Sequence, residues 1–403
     1  MTTKVLIIGG GYAGVRAAKT LAKASQSKDI EIKVIDQNSY HTLRTVLHEV
    51  AGNRLKPNSV TIPFSKILTH DRVTFSKDRV TAVDFAAKVV QTTGGEQAYD
   101  YLIMGLGSTP NYLGVPGAEE YSYPLWTYHD ALRIRKHVRE CFAQAQLCQD
   151  SAKRRELLTF AVIGSGATGV EMIGELARWL PELCASHRIN RQSVRLLLCD
   201  RSPRVLKTLC ETNSQRAHDY LSSKMGVEIR LGVTVEAVHA DGLVVSGETI
   251  PAQTVIWAAG VRASDLVEQM DIEKRQSRRL AVDAYGQTTH PGVYVVGDLS
   301  GLTKPDGKLY PAMAENAFYT GEGVAKNILA ALSGQPPTPL KIRSHGAIVC
   351  MGSTFAVAEL GSLTFPGWMA TIMKGIVTIH YVWQLTGLTG VKRYAFHEFF
   401  EAA

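Results

Sequence analysis

Apolar residues fall in short dense runs along this chain, and the first of them, Val5-Leu-Ile-Ile8, leads directly into Gly9-Gly-Gly11-Tyr-Ala-Gly14. A fully apolar run closed by glycines predicts a buried strand, a tight turn and then a helix. Glu31-Ile-Lys-Val-Ile-Asp36 predicts a second strand. Val73-Thr-Phe, Val80-Thr-Ala-Val and Lys88-Val-Val-Gln, joined by short turns, predict a β-meander laid over the first sheet. Tyr99-Asp-Tyr-Leu-Ile-Met-Gly-Leu-Gly107 predicts another buried strand ending in a glycine-rich turn. The opening pattern then returns as Phe160-Ala-Val-Ile-Gly164-Ser-Gly166-Ala-Thr-Gly169, at a constant offset of 155. Strands follow at Val194 to Asp200, Thr254 to Trp257 and Gly292 to Val296, with an Ala- and Gly-rich helix from Ala312 to Leu332.

The two glycine turns carry the chemistry. Gly9 permits the tight turn, Gly11 lets the backbone approach a pyrophosphate, and Gly14 lets the helix pack closely on its strand. Free N–H groups at the start of that helix then face the diphosphate. Tyr12 and Ala13 lie in the same turn. Asp36 ends the next strand 22 residues after Gly14, where a ribose-binding carboxylate is expected, with Gln37 beside it. Gly164, Gly166 and Gly169 repeat the arrangement, and Asp200 ends the second acid-bearing strand 31 residues on, which implies a longer helix and loop through Pro181 to Asn190. A carboxylate there would accept ribose hydroxyls and repel a 2′-phosphate, favouring NADH over NADPH, although Arg201 and Arg204 could instead pair with a phosphate. Two dinucleotide cradles therefore make this an α/β chain with two Rossmann-like domains.

Other positions read less sharply. Gly107, and Ala259-Gly260 after the Thr254 strand, let backbone approach a ligand, or simply form tight turns. Gly297-Asp298 before a helix could set an acid on a ribityl chain or diphosphate, with Ala314 and Glu315 at the helix start facing a flavin ring. Glu171 and Glu175 share one helix face; the first is either a helix-dipole acid, worth ~0.3–1 kcal/mol, or a group at the redox centre. His41 and His48 have no acid–base partner in recognisable spacing, which favours structural or cofactor-packing roles.

At 403 residues, two or three domains are expected. The 44 Lys and Arg against 37 Asp and Glu leave a net charge of +7, which suits an anionic surface, a nucleic acid or simple solubility. The basic clusters Lys153-Arg-Arg155 and Lys274 to Arg279 are expected to be solvated loops, and no nucleic-acid motif accompanies them. Six cysteines at 141, 148, 184, 199, 210 and 350 form no C-x-x-C pair and no zinc spacing, so a reducing compartment and no metal are expected. The first strand begins within five residues of Met1, so no signal or transit peptide is expected ahead of it. From Pro366 to Phe400, Trp368, Met369, Ile372, Ile376, Trp383, Phe396, Phe399 and Phe400 are interspersed with Lys374, His380, Lys392 and Arg393. No run reaches the ~20 apolar residues that span a bilayer, so helices lying in a membrane interface are expected, with each nearby cation adding about 1 kcal/mol. Burial in a homodimer interface explains the same pattern.

Gly9 to Gly14, Tyr40-His41 to His48-Glu49, Gly164 to Glu171 with Gly174-Glu-Leu176, Trp257 to Arg262, and Gly297-Asp298 together resemble the type II NADH dehydrogenases, flavoproteins with two dinucleotide-binding domains. The resemblance covers nearly the whole chain. It implies FAD in the first cradle, NADH in the second and reduction of a membrane quinone, of menaquinone type, without proton pumping. It further implies that Asp36 holds the FAD adenosine ribose, that Thr45 lies near the isoalloxazine, that Asp298 binds the ribityl-phosphate region, and that Glu171 couples the two substrates. The chain departs from the family where Glu315 and Tyr319 stand in place of glutamines that line the quinone pocket. Sulfide:quinone reductases and disulfide reductases would need cysteines at the flavin or a C-x-x-C after the first cradle, and Cys350 alone reads as packing. The expected domains are 1–115 and 276–335 for FAD, 116–275 for NADH, and a membrane-docking or dimerisation segment at 336–403. The expected location is the cytoplasmic face of the cell membrane, held peripherally by anionic lipid.

Overall fold

The computed structural model describes residues 2–24 and 29–395 and divides into two compact units. The first comprises residues 1–42, 62–109 and 261–344. Its sheet is wholly parallel, in the order Val293–Val295, Tyr101–Met104, Thr3–Ile8, Ile30–Asp36, Val73–Lys77. Val5, Leu6, Ile7 and Ile8 are all buried because side chains of a central parallel strand meet packed layers on both faces. Ile7 pairs with Val34 on one side and Ile103 on the other. The helices Tyr12–Ala24 and Ala314–Ala331 lie against each other so closely that a Cβ on Gly321 would stand 2.2 Å from the Ala13 carbonyl oxygen.

Val73-Thr-Phe does not belong to the meander. It pairs in parallel with Ile30–Asp36 as the sheet's edge strand, Ile32 opposite Val73. The meander is instead Val80–Asp84, Val89–Thr92 and Gly95–Ala98. Its third strand, Gly-Glu-Gln-Ala, is polar and forms through ladder bonds rather than apolar burial, so periodicity does not reveal it.

The second unit comprises residues 43–61, 110–260 and 345–403. Its parallel sheet runs Tyr123–Pro124, Thr254–Trp257, Thr159–Ile163, Arg195–Asp200, Val227–Leu231. It carries a meander of its own at Val235–His239, Gly242–Val245 and Glu248–Pro251. The longer spacing to Asp200 comes mainly from the helix. Tyr12–Ala24 has 13 residues and Ala167–His187 has 21, running through Pro181.

An antiparallel sheet of Ala347–Met351, Phe355–Leu360 and Leu363–Pro366 then leads into the helix Trp368–Ala395, which is interrupted at Gly387, where φ is +67°. Ala370, Val382 and Leu385 face inward, while Trp368, Met369, Ile372, Ile376, Val377 and Trp383 are exposed at roughly helical spacing. Phe396, Phe399 and Phe400 lie outside the described residues. Among the described residues, no helix is long and apolar enough to cross a membrane.

Candidate functional site

The two glycine turns are built alike. Gly9 and Gly164 take φ of +100° and +104°, and a Cβ on either would strike the backbone of the neighbouring strand's continuation, at the Gly105 and Ala258 oxygens. A Cβ on Gly14 would lie 1.9 Å from the Gly9 oxygen, and one on Gly169 1.8 Å from the Gly164 oxygen. Gly11 and Gly166 differ from these. A Cβ on either meets nothing within 4 Å, so no protein contact calls for glycine there. Each stands exposed just before a helix with no acid in its first turn, and Gly166 gives its helix no side-chain cap. That leaves space and N–H donors for an anionic diphosphate in both turns, and both therefore fit a dinucleotide.

The acids correspond as well. Asp36 accepts from the Gly10 N–H at 2.7 Å and the Asn38 N–H at 2.8 Å. Asp200 accepts from the Ser165 N–H and, at 2.6 Å, from the Ser202 N–H. Each carboxylate thus ties its glycine turn to the end of the next strand. Arg204 donates to the Leu209 and Lys207 carbonyls at 2.9 Å each. It is thereby taken up by backbone.

In the first unit, a cavity of about 350 Å³ lined by Gln37, Asn38, Lys77, Asp78, Arg79 and Thr93 adjoins Asp36. His41 Nδ1 lies 3.0 Å from the Gly10 oxygen and its ring meets Tyr12 edge-on, so it buttresses the turn. Ala13 stands 3.3 Å from the place of a Cβ on Gly297, whose φ is +66°, and Asp298 accepts from Ser108 at 2.8 Å. Gly107, with φ +71°, opens onto free space. Ala314 and Glu315 open their helix without a side-chain cap. These residues gather in one unit with the first cradle. Thr45, Glu171, Asp200, Ala259 and Gly260 belong to the other, Thr45 exposed in a short turn of helix and Gly260 exposed at φ +126°.

Glu171 is not a first-turn acid. It is buried in the body of its helix, and one oxygen forms a close ion pair with the ammonium of Lys374. The same oxygen is 3.4 Å from the Cys350 N–H, and the other oxygen faces His48 Nδ1 at 3.5 Å. A Cβ on Gly174 would lie 2.8 Å from Met351 Cα, so glycine at that position lets the Cys350 strand come this close. Behind them, Arg54 bridges Glu49 and Glu175 at 2.8 Å each, and Glu175 also holds Arg178 at 2.8 Å.

Burial pushes the Glu171 carboxyl above its ordinary value, with Lys374 opposing. Burial works to lower Lys374, but Glu171 outweighs it and holds the ammonium protonated. Burial, then Lys374 and Arg54, depress His48 far enough to keep it neutral. Burial raises the Cys350 thiol to about 12, which makes it an inert packing group.

Sequence reasoning missed Lys374, Glu49, Arg54 and the placement of His48, because they come from segments far apart in the chain. Lys374, expected among the cations facing lipid, instead turns its half-buried side chain to Glu171. The basic stretch Lys274 to Arg279 is solvated at Lys274, Gln276 and Arg278, whereas Arg275 donates to Gly301 and buried Arg279 to Tyr310; Lys153 to Arg155 lie in the helix Ser151–Leu157 rather than in a loop.

Residues 3–321 match the family model for pyridine nucleotide-disulphide oxidoreductases. The chain is 30% identical over 390 residues, 96% of each chain, to a type II NADH:quinone oxidoreductase of Staphylococcus aureus. This chain belongs to the type II NADH:quinone oxidoreductase family. A Staphylococcus saprophyticus member is 29% identical over 392 residues, again covering 96% of both. In fold, the chain matches NDH2 from Plasmodium falciparum in complex with NADH, with TM-score 0.88 at 17% identity over 100% of this chain and 99% of that one. The type II NADH:quinone oxidoreductase family is FAD-dependent, in keeping with the first cradle. The chain carries no C-x-x-C pair, and its six cysteines are all free.

Proposed function

We propose that the protein oxidises NADH and reduces a membrane quinone, taking up one proton to give NAD⁺ and the quinol. The observation that carries this reading is the pair of open middle glycines, Gly11 and Gly166, each backed by an acid-tied turn. FAD, when bound, supplies the two-electron chemistry that links the two substrates. Gly9, Gly11, Tyr12, Ala13, Gly14, Asp36, Gln37, Gly107, Gly297, Asp298, Ala314 and Glu315 are proposed to hold it, with Thr45 near its ring. Gly164, Gly166, Gly169, Asp200, Ala259 and Gly260 are proposed to hold NADH; the acceptor oxygens of Asp200 and the engagement of Arg204 by backbone carbonyls favour it over NADPH.

The protein's own contribution is orientation and proton placement. Glu171, two residues past Gly169 and with its carboxyl raised by burial, is the residue proposed to bind a proton as negative charge reaches the site. Glu315 and Tyr319, which depart from the glutamines that the family resemblance implies, tune the choice of quinone, which is taken as menaquinone-type. The exposed apolar stripe of the Trp368–Ala395 helix docks peripherally on anionic lipid at the cytoplasmic face.

Anaerobic rapid mixing of purified flavoprotein with NADH and then a menaquinone analogue tests the reading. Rapid flavin bleaching followed by rapid recovery is expected. Bleaching without recovery would replace the quinone with another acceptor, and no bleaching would overturn the NADH assignment.

A further inference from the structure

His48 lies between two carboxylates and has one ring proton to offer. Its Nδ1 is 3.5 Å from Glu171 and its Nε2 is 3.7 Å from Glu49 Oε1, and the buried Nε2 has no hydrogen-bond partner among the described residues. The titratable groups around it come from its own segment, one further helix, the antiparallel sheet and the last helix. Glu49 and Arg54 lie on its own segment, and Glu171, Glu175 and Arg178 on the Ala167–His187 helix. Cys350 comes from the antiparallel sheet and Lys374 from the last helix. Arg139, on the helix Tyr128–Leu147, turns to Asn53 and the Trp179 ring instead.

Glu49, Glu171 and Glu175 are matched by Arg54, Arg178 and Lys374, so the cluster is electrically balanced only while the imidazole is neutral. A neutral imidazole carries its proton on one nitrogen. With the proton on Nδ1, His48 donates toward an ionised Glu171. With the proton on Nε2, it donates toward Glu49 and can accept only from a protonated Glu171. The protonation of Glu171 and the tautomer of His48 are therefore one variable.

We propose that His48 is a tautomeric proton relay and positioning residue for Glu171, an inference that rests on Glu171 being the proton-binding carboxylate of the site. A hydronium ion that reaches the buried Nε2 gives a proton to its lone pair and leaves as water. The Nδ1–H bond breaks, its electron pair returns to the ring, and that proton forms an O–H bond with Glu171 Oε2. Histidine is neutral before and after, and the cluster gains one positive charge, matched to the negative charge that reduction delivers. Both gaps exceed a transfer distance, and such contacts tighten when substrate binds.

Holoenzyme labelled with nitrogen-15 histidine reports the tautomer through two-bond N–H correlations, the His48 signals being those lost in His48→Gln. Oxidised wild type should show Nδ1–H, and anaerobic NADH should convert it to Nε2–H. In Glu171→Gln, Lys374 can only donate and so takes the amide oxygen. The amide NH₂ is left for His48, which should hold the Nε2–H form even when oxidised. His48→Gln cannot tautomerise and should keep its flavin while slowing quinone reduction by about tenfold or more. An unchanged tautomer on reduction and in Glu171→Gln, or a doubly protonated ring at neutral pH, would overturn the relay. A slow Glu171→Gln beside a fully active His48→Gln would overturn the relay and leave the role of Glu171 standing. Wild-type turnover by Glu171→Gln would remove that role, and the relay with it.

Discussion

Replacing Lys374 by methionine removes the ammonium beside Glu171 while keeping most of the apolar stem. The two side chains are only 13% and 10% exposed, so little water can take the ammonium's place. Breaking such a pair from one side costs about 3–5 kcal/mol. The same penalty lifts the Glu171 pKa further above its value in the intact pair. Its pKa is already above the unfolded value of 4.5. A carboxyl raised in the folded state contributes stability that is fully present below the unfolded pKa and lost as pH rises through the folded one. Lys374→Met should therefore be close to wild type near pH 4.5 and fall progressively behind as pH rises, with the full deficit above the new Glu171 pKa. Urea unfolding of the flavoprotein at a series of pH values measures this, and a protonated-carboxyl infrared band that persists to higher pH in the variant reports Glu171 directly. Glu171→Gln with Lys374→Met should recover most of the loss, since neither buried charge is then left alone. A deficit independent of pH, or one below ~0.5 kcal/mol throughout, would refute the argument.

The glycines make a second test. Gly14→Ala should destabilise even the flavin-free protein, because its Cβ would lie 1.9 Å from the Gly9 oxygen, whereas Gly11→Val should fold and lose FAD, as flavin absorbance and a thermal melt would show. Hydrogen bonds from Thr92 and Thr93 hold Asp78 down to about 2, so its contribution is present above the unfolded value of 3.8 and lost as pH falls toward 2; the melting difference between wild type and Asp78→Asn should narrow over that window. Changing Trp368, Ile372 and Ile376 to serine should leave the flavin spectrum intact and weaken liposome sedimentation, each isoleucine accounting for up to about 1.5–3 kcal/mol of transfer; unchanged sedimentation would free the helix for a dimer interface.

The glycine turns, the strands leading into them, their offset of 155 and the acids at the next strand ends were legible in the chain, because turn chemistry and two-sided burial act over a few neighbouring residues. So was the amphipathic last helix, whose stripe needs only local spacing. The polar Gly95–Ala98 strand and the parallel placement of Val73–Lys77 were not, since ladder pairing is chosen by partners distant in sequence. The site divides on the same line. Sequence alone determined that two anionic cofactors have cradles and that Glu171 follows the second. Only the tertiary structure decided what surrounds Glu171, because Lys374, His48 and Cys350 reach it from separate segments and burial raises its proton affinity above that of an ordinary carboxyl.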